Sequence, residues 1–394
     1  MGALARALKS TGKRILARLP SEVREALLRE FLARKLRRLL SLQTPVVLTY
    51  FVTNACNLRC AHCFYWRELG RPGDELPLNV LSQVAHSLRH PVYLSLTGGE
   101  PALRSDLVDI CRTFHEANGC RHIAIATNGL LPKRVTDICQ RVLDQLDLES
   151  LDVQISLDGP AVVHDTIRGI RGAHARAMQT LDSLRDLANH EKRLRVHAAL
   201  CIQQANINCL EGFIDEMQAK RINHRFTLLR GNSYGTYRLP KEAQSGIDPR
   251  VSTNGDLSLD QLRKAMGRAS AREAQGDAAL WPLDNRVTNE LALRVMATRQ
   301  RQLPCYAGSL EAVLYPSGEV AMCELSRPVG HLGDFRWDMA ELWKSAPAEA
   351  MRGLLQECCC IHGCNLSTSM QFDAAVLSRL QTESLVESRH EPSR

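Results

Sequence analysis

The chain of 394 residues is 44% hydrophobic and 24% charged, values ordinary for a globular protein with one large and one small domain, or with an elaborated barrel. No apolar run is long enough to span a bilayer, and no secretory signal begins the chain, so we expect a cytoplasmic protein. Residues 1–42 hold eleven Lys or Arg and three Glu, a net +8, while the whole chain carries +7. The remainder is therefore at −1, which gives no support to nucleic acid as a partner.

The basic N-terminal segment, residues 1–44, is predicted to be helical and amphipathic. One short helix is expected at 3–19, Pro20 interrupts it, and Ser21 is a suitable N-cap for a second helix through about Leu42. Apolar side chains recur in the second helix at helical spacing, at Leu27, Leu28, Phe31, Leu32, Leu36, Leu39 and Leu40. Three roles remain open: packing on the main body, peripheral contact of residues 1–42 with an anionic membrane, or capture of an acidic peptide.

Strand and helix patterns then alternate over residues 45–233. A strand is predicted at 45–52, a strand followed by a glycine turn at 92–101 and a strand followed by a loop at 123–131, with further strands within 151–160, 193–202 and 224–233. Helices are predicted between them, including 106–117 and 173–189. This alternation indicates βαβ units and a parallel sheet. Polar or glycine-rich motifs follow the strands, at the end where parallel α/β barrels place their active sites.

Two further segments follow. Residues 234–303 are predicted to be a linker or insertion with two helices, at about 258–275 and 283–302. Residues 304–366 are predicted to be a small α+β module that contains a hairpin. The other predicted elements are a module helix at Met339–Leu355 and, over residues 367–394, a C-terminal helix with a tail that is disordered from about residue 381.

Three of the fourteen cysteines, Cys56, Cys60 and Cys63, lie within eight residues directly after the first strand. In a chain without an export signal such clustering favours metal ligation over disulfides. A structural zinc site uses four protein ligands, whereas a four-iron cluster held by three cysteines leaves one iron open for reaction. The alternatives are buried free thiols or a zinc site with His62 as fourth ligand, although His62 lies directly between two of the cysteines and is poorly placed for it.

The motif Cys56-x3-Cys60-x2-Cys63, followed at the next strand end by Gly98-Gly99-Glu100, resembles the radical S-adenosylmethionine (radical SAM) superfamily over residues 45–233. The resemblance implies a partial (β/α)6 TIM-like barrel, a catalytic [4Fe–4S] cluster on the three cysteines, and S-adenosyl-L-methionine (SAM) bound at the open iron. It also implies reductive cleavage of SAM to a 5′-deoxyadenosyl radical that abstracts hydrogen from a substrate. A reductant such as flavodoxin or ferredoxin is then expected as a partner.

The resemblance also suggests which residues contact SAM. Gly98 and Gly99 would let the backbone approach the methionine ammonium, and Glu100 would add negative charge. The other candidates are His62 and Phe64 for adenine, Asn128, Ser156 and Asp158 for the ribose or methionine part, and Arg168 for the carboxylate. The alternatives are ordinary turns at Gly98–Glu100, Asn128 and Asp158, a pocket wall at His62 and Phe64, and a surface salt bridge at Arg168. Asn206 and Arg230 are weaker candidates.

The six cysteines beyond residue 300 resemble the superfamily's auxiliary-cluster extension, in the half-sized twitch form of the SPASM domain. Their number suits one auxiliary [4Fe–4S] cluster, which we expect on Cys305, Cys323, Cys360 and Cys364, with Cys358 as a close rival. A structural zinc site is the alternative. The remaining cysteines are predicted to be small buried hydrophobic residues, namely Cys111, Cys120, Cys139, Cys201 and Cys209.

The sequence leaves the substrate open. The resemblance favours hydrogen abstraction from a peptide or a small molecule. A membrane-associated lipid or sugar is a second candidate, because of the basic N-terminal segment. A non-enzymatic zinc-binding regulatory protein is the alternative from a different class.

Overall fold

The computed structural model describes residues 19–70, 75–229, 236–245, 257–277 and 280–389. The helix expected at 3–19 and the candidate Arg230 fall outside these ranges. The strands are β1 (Val47–Phe51), β2 (Tyr93–Thr97), β3 (His122–Thr127), β4 (Ser150–Ser156), β5 (Leu194–Ile202), β6 (His224–Leu228), β7 (Thr236–Tyr237), β8 (Glu311–Leu314), β9 (Glu319–Ala321), β10 (Pro328–His331) and β11 (Cys359–Cys360).

Thirteen α-helices are described. They are α1 (Ser21–Leu40), α2 (Leu78–Ser87), α3 (Leu107–Asn118), α4 (Pro132–Gln145), α5 (Ala161–Arg168), α6 (Ala173–His190), α7 (Leu210–Ala219), α8 (Leu259–Glu273), α9 (Leu283–Thr298), α10 (Met339–Trp343), α11 (Ala346–Glu357), α12 (Gly363–Met370) and α13 (Ala374–Arg389). In this part of the chain, no helix is both long and apolar enough to cross a bilayer.

The six predicted strands β1 to β6 are confirmed, and each pairs in parallel with the next. Strand β4 illustrates why they form. Leu151, Val153 and Ile155 are fully buried on one face, while the polar residues between them are only half-buried on the other. This alternation follows from the two-residue period of a strand. All six strands end at the same edge of the sheet, which brings their following loops together.

The covering helices are amphipathic. In α4, Val135, Ile138, Cys139 and Val142 are buried, at the spacing that places side chains on one helical face. Pro132 occupies the first turn, where its missing N–H removes no helical hydrogen bond. Packing of such faces on both the sheet and each other forms one large core.

The C-terminal hairpin belongs to the same sheet, which the sequence did not predict. Strand β8 pairs in parallel with β1, with Val47 opposite Glu311, and β9 and β10 continue antiparallel from it. The sheet order is therefore β10-β9-β8-β1-β2-β3-β4-β5-β6, nine strands among the described residues. Segments more than 250 residues apart in the chain thus meet beside the loop that carries Cys56, Cys60 and Cys63.

Three expected helix limits were wrong. The helix expected at Met339–Leu355 is divided into α10 and α11, because Ser345 caps a new helix through a bond from the Ala348 N–H to its Oγ. The helix expected at 283–302 ends at Thr298, where Arg299 takes a left-handed conformation. The tail expected to be disordered from 381 continues as α13 to Arg389.

The basic helix α1 packs on the C-terminal helix α13. Leu28 and Leu32 of α1 are buried against Ala374 and Leu377. The Arg24 guanidinium donates a hydrogen bond of 2.8 Å to Ser378 Oγ. The apolar face expected to cover the main body therefore contacts the chain's own C-terminal helix.

Candidate functional site

The loop after β1 carries Cys56, Cys60 and Cys63 at the carboxyl edge of the parallel strands, and all three thiols are half-buried. Cys56 and Cys60 border a cluster around Leu58, and Cys63 borders one around Phe51. The three cysteines thus lie within eight residues of a single loop, an arrangement in which three thiols can surround one metal centre.

Two backbone hydrogen bonds hold this loop against the end of β2. The Gly99 N–H donates to the Thr53 carbonyl and the Glu100 N–H to the Ala55 carbonyl, each at 2.8 Å. A Cβ on Gly99 would lie 2.0 Å from the Ala55 carbonyl oxygen. Gly98 has φ +123°, and a Cβ there would lie 2.7 Å from the Thr53 carbonyl oxygen. The two glycines therefore permit close approach of two backbone segments, a reason different from the expected contact with the methionine ammonium.

Glu100 is buried and joins the β2 and β3 ends. Its carboxylate accepts hydrogen bonds from the Ala102 N–H, the Thr127 hydroxyl and the Asn128 N–H, at 3.1, 2.7 and 2.7 Å. Burial raises the pKa of this carboxyl, and the three donors oppose the rise. The Asn128 side chain donates to Asn57 Oδ1 at 2.8 Å, so the same network reaches the cysteine loop.

A buried ion pair lies on the other side of the loop. The Arg168 Nε donates to Asp158 Oδ2 at 2.6 Å, and the Arg168 Nη1 lies 3.5 Å from Cys60 Sγ. Although burial alone would raise it, the Arg168 guanidinium holds the pKa of Asp158 below its usual range. Arg168 is thus not a surface salt bridge but a buried cation between a carboxylate and one of the three thiols.

The buried thiols bind metal only after they lose their protons, and nearby positive charge is needed to stabilise the thiolates. Burial raises the pKa of the Cys56 thiol, with smaller contributions from the charges of Glu100 and Cys60. Burial raises the pKa of Cys63 to about 12, and Cys60 and Cys56 add to the effect. Only thiolates bind metal, so the set suits a group that supplies strong positive charge of its own.

The other predicted SAM contacts surround this loop. The His62 ring lies 3.3 Å from Gln203 Nε2, and burial lowers its pKa to about 4. Phe64 packs edge-on against Phe51, in an aromatic cluster that also contains Tyr65 and Tyr315. Ser156 is half-buried at the end of β4.

Sequence reasoning missed several supporting residues. Gln203 contacts His62, and the Asp158 N–H donates to His164 at 3.0 Å. Asn57 accepts the hydrogen bond from the Asn128 side chain. Its position between Cys56 and Cys60 was the one feature of the sequence that could have identified it as a site residue. Asn206, only a weak candidate, is fully buried and donates to the Asp158 and Cys201 carbonyls, which joins the loops after β4 and β5.

A second group of cysteines surrounds a cavity between the hairpin and α11. Cys305, Cys323, Cys358 and Cys360 line it together with Arg301. Burial raises the pKa of Cys305 to about 12, with the charges of Cys360 and Cys323 adding to it. Cys359 faces away because β11 is a strand, in which alternate residues point to opposite sides.

Cys364 does not line this cavity. It is exposed, and its sulfur lies within 4.8 Å of ligand atoms of Glu324 and His362. The structure therefore groups Cys358, the expected rival, with Cys305, Cys323 and Cys360 around the cavity, and Cys364 lies outside this group. All fourteen cysteines are within the described ranges, and none forms a disulfide. Cys111, Cys120 and Cys139 are buried as expected, whereas Cys201 and Cys209 are only half-buried.

Comparisons with known proteins agree with this geometry. The model of the radical SAM superfamily matches residues 50–216. A GTP 3′,8-cyclase of Limosilactobacillus fermentum is 30% identical over 184 residues, 44% of this chain and 51% of that protein. The mycofactocin maturase MftC of Mycolicibacterium smegmatis is 30% identical over 204 residues, 49% of this chain and 47% of its own. The chain spans about half the length of these curated relatives.

A solved structure shares the fold over a longer range. Streptococcus suis SuiB bound to the precursor peptide SuiA matches with a TM-score of 0.54 and 15% identity, over 82% of this chain and 69% of that one. At this identity the likeness concerns the fold alone. It extends beyond the part of the chain that the family model matches.

Proposed function

We propose that the chain is a radical SAM enzyme that uses SAM to abstract hydrogen from a substrate, since residues 50–216 match the model of that superfamily. A [4Fe–4S] cluster on Cys56, Cys60 and Cys63 would supply the electron that cleaves SAM to methionine and a 5′-deoxyadenosyl radical. The observation that carries the proposal is the set of three half-buried thiols on one loop at the carboxyl edge of the parallel strands, inside the range that the superfamily model matches.

The chain's own residues would hold and orient the reacting groups. The backbone bonds of Gly99 and Glu100 fix the loop against β2, so its thiols keep one arrangement. Arg168 places a buried positive charge 3.5 Å from the Cys60 sulfur, next to the proposed cluster. The proposed contacts of SAM stay those that the resemblance suggested: His62, Phe64, Gly98, Gly99, Glu100, Asn128, Ser156, Asp158 and Arg168.

The test is anaerobic reconstitution with iron and sulfide, followed by reduction with dithionite in the presence of SAM. We expect wild type to form 5′-deoxyadenosine, and a Cys56/Cys60/Cys63→Ala variant to lose about four irons and all product. A Cys209→Ser variant is the matched control, since Cys209 is also half-buried but lies outside both sets. Zinc in place of iron, with no product, would favour the zinc-binding regulatory protein.

A peptide is the substrate class that we favour. SuiB, which shares the fold, was solved with its precursor peptide bound, and this supports a peptide more than a lipid or a sugar. A reductant such as flavodoxin or ferredoxin would supply the electron. Consumption of SAM that rises with a candidate peptide, but not with lipid extracts, would support this choice.

Cys305, Cys323, Cys358 and Cys360 would hold an auxiliary [4Fe–4S] cluster. Their common cavity supports this set over the one with Cys364. Neighbouring Cys358 and Cys359 provide a matched pair for the test, because only Cys358 lines the cavity. Cys358→Ala should lower iron from about eight to about four per chain, and Cys359→Ala should leave it unchanged. Equal iron in both variants would refute the assignment.

Helix α1 supports contact with an anionic membrane surface. Val23, Leu27 and Phe31 are spaced four residues apart on one face of the helix and are 47%, 53% and 63% exposed. Arg34 and Arg38 lie on the same face, toward its C-terminal end. An apolar stripe beside basic residues is typical of helices at a lipid interface. Sedimentation with phosphatidylglycerol vesicles should decrease for Leu27→Glu/Phe31→Glu but not for Val162→Glu, an exposed valine on α5. Unchanged sedimentation of the double variant would exclude this surface.

A further inference from the structure

A second cluster of ligand-type side chains lies beside the cysteine cavity. Glu324 directly follows Cys323, and His362 precedes α12, which contains Cys364. One ligand atom of each residue lies within 4.8 Å of those of the other two. Glu324 and His362 are 7% and 3% exposed, while Cys364 faces solvent.

The geometry matches one small metal ion. His362 Nε2 and Glu324 Oε2 are 3.5 Å apart, longer than a typical N–H···O hydrogen bond of about 2.7–3.2 Å. Two ligands of a tetrahedral ion, with metal–ligand distances of about 2.0–2.3 Å, lie about 3.3–3.8 Å apart. The observed separation fits two ligands on one ion as well as it fits an ion pair.

The histidine is oriented for coordination. Asn365 turns its amide Nδ2 toward Cys323 Sγ at 3.4 Å, so its Oδ1 is the atom that faces His362 Nδ1 at 2.8 Å. An amide oxygen only accepts, so His362 Nδ1 carries the proton. In the neutral ring, Nε2 then presents its lone pair toward Glu324. A histidine whose other nitrogen donates to an oxygen is the usual arrangement at metal sites.

An independent observation points to a cation. Glu311 on β8 is 7% exposed, and its Oε2 has no hydrogen-bond partner among the described residues. Burial raises the pKa of the Glu311 carboxyl, against a hydrogen bond from Thr368 and the charge of His362, and no Lys or Arg in the described ranges forms an ion pair with it. A buried carboxyl without a cation tends to stay protonated, so a metal ion nearby would stabilise its charged form.

We propose that Glu324, His362 and Cys364 bind a single divalent metal ion, with Zn²⁺ as the preferred occupant, and that Glu311 adds charge beside it. Imidazole, thiolate and carboxylate together suit Zn²⁺, and three protein ligands leave a fourth position to water. The ion would join the loop after β9 to α12, the segments next to Cys323 and Cys360. The site is separate from the proposed radical reaction, but it requires that Cys364 lies outside the auxiliary cysteine set.

The test uses the full chain with its iron sites filled. After anaerobic reconstitution, one equivalent of Zn²⁺ is added, loosely bound metal is removed over a weak chelator, and iron and zinc are counted per chain. Wild type should retain one zinc with about eight irons. His362→Ala, Glu324→Gln and Cys364→Ala should each lose the zinc and keep the iron, and Cys209→Ser should keep both. Asn365→Ala should weaken zinc binding by about 10–100-fold.

Three results would overturn the inference. Wild type without zinc would leave His362 as a protonated partner of the carboxylates. Zinc that is unaffected by all three substitutions would be bound elsewhere. A loss of about four irons in Cys364→Ala would assign Cys364 to the auxiliary cluster. Retained iron in Glu324→Gln and His362→Ala serves as the check that the module is folded.

Discussion

Replacement of Gly99 by alanine tests how the cysteine loop is held. The new Cβ would lie 2.0 Å from the Ala55 carbonyl oxygen and 2.6 Å from its carbon, so two main-chain segments would have to separate. Overpacking a rigid site costs about 1–3 kcal/mol. The two hydrogen bonds from Gly99 and Glu100 to residues 53 and 55 would also be lost, at about 1 kcal/mol each. We expect the free energy of unfolding to fall by about 3–5 kcal/mol.

The assay is the urea midpoint of the reconstituted protein, followed by circular dichroism, with iron counted on the same samples. We expect a lower midpoint and loss of about four irons, because the loop moves away from β2. Gly212→Ala is the matched control: Gly212 lies in α7 with no atom within 4 Å of the new Cβ. Alanine there should be neutral or stabilise by up to about 1 kcal/mol. Gly99→Ala with the midpoint and iron of wild type would refute the reasoning.

Three further predictions follow from the contacts. Arg168→Gln should lower the free energy of unfolding by about 3–5 kcal/mol, because it leaves the Asp158 carboxylate buried without its cation; an unchanged urea midpoint would contradict this. Glu100→Gln should cost about 1–3 kcal/mol, since its NH2 group must face either the Asn128 N–H or the Ala102 N–H and Thr127 hydroxyl, and a midpoint equal to that of wild type would argue against it. Deletion of residues 374–389 should uncover α1, so trypsin should cleave at its arginines faster while iron content stays the same; equal cleavage rates would show that α13 does not protect α1.

Local patterns along the chain were sufficient for much of the core. The alternation in β4 and the helical spacing in α4 follow from backbone periodicity, which each segment carries by itself. The three cysteines of the first motif lie on one short loop, so their proximity needed no knowledge of the rest of the fold.

Contacts between distant segments could not be predicted in this way. The pairing of β8 with β1 depends on a chain return across about 260 residues, and no local pattern specifies that partner. The ion pair of Arg168 with Asp158 forms because α5 returns over the end of β4; this buries a residue for which a surface salt bridge had been the alternative to contact with SAM.

The sequence by itself predicted the order of β1 to β6 and the three-cysteine motif after β1, because these depend on spacing within short segments, and the motif carried the resemblance to the radical SAM superfamily. Only the tertiary structure decided that Gly99 is required by the approach of another backbone, and which C-terminal cysteines share a cavity. Spacing alone favoured Cys360 and Cys364 over Cys358. In the structure Cys358, at the end of α11, and Cys360, in β11, both line the cavity, while Cys364 at the start of α12 lies near Glu324 and His362. The physical reason is that side-chain direction depends on the element and its packing, which spacing alone does not specify.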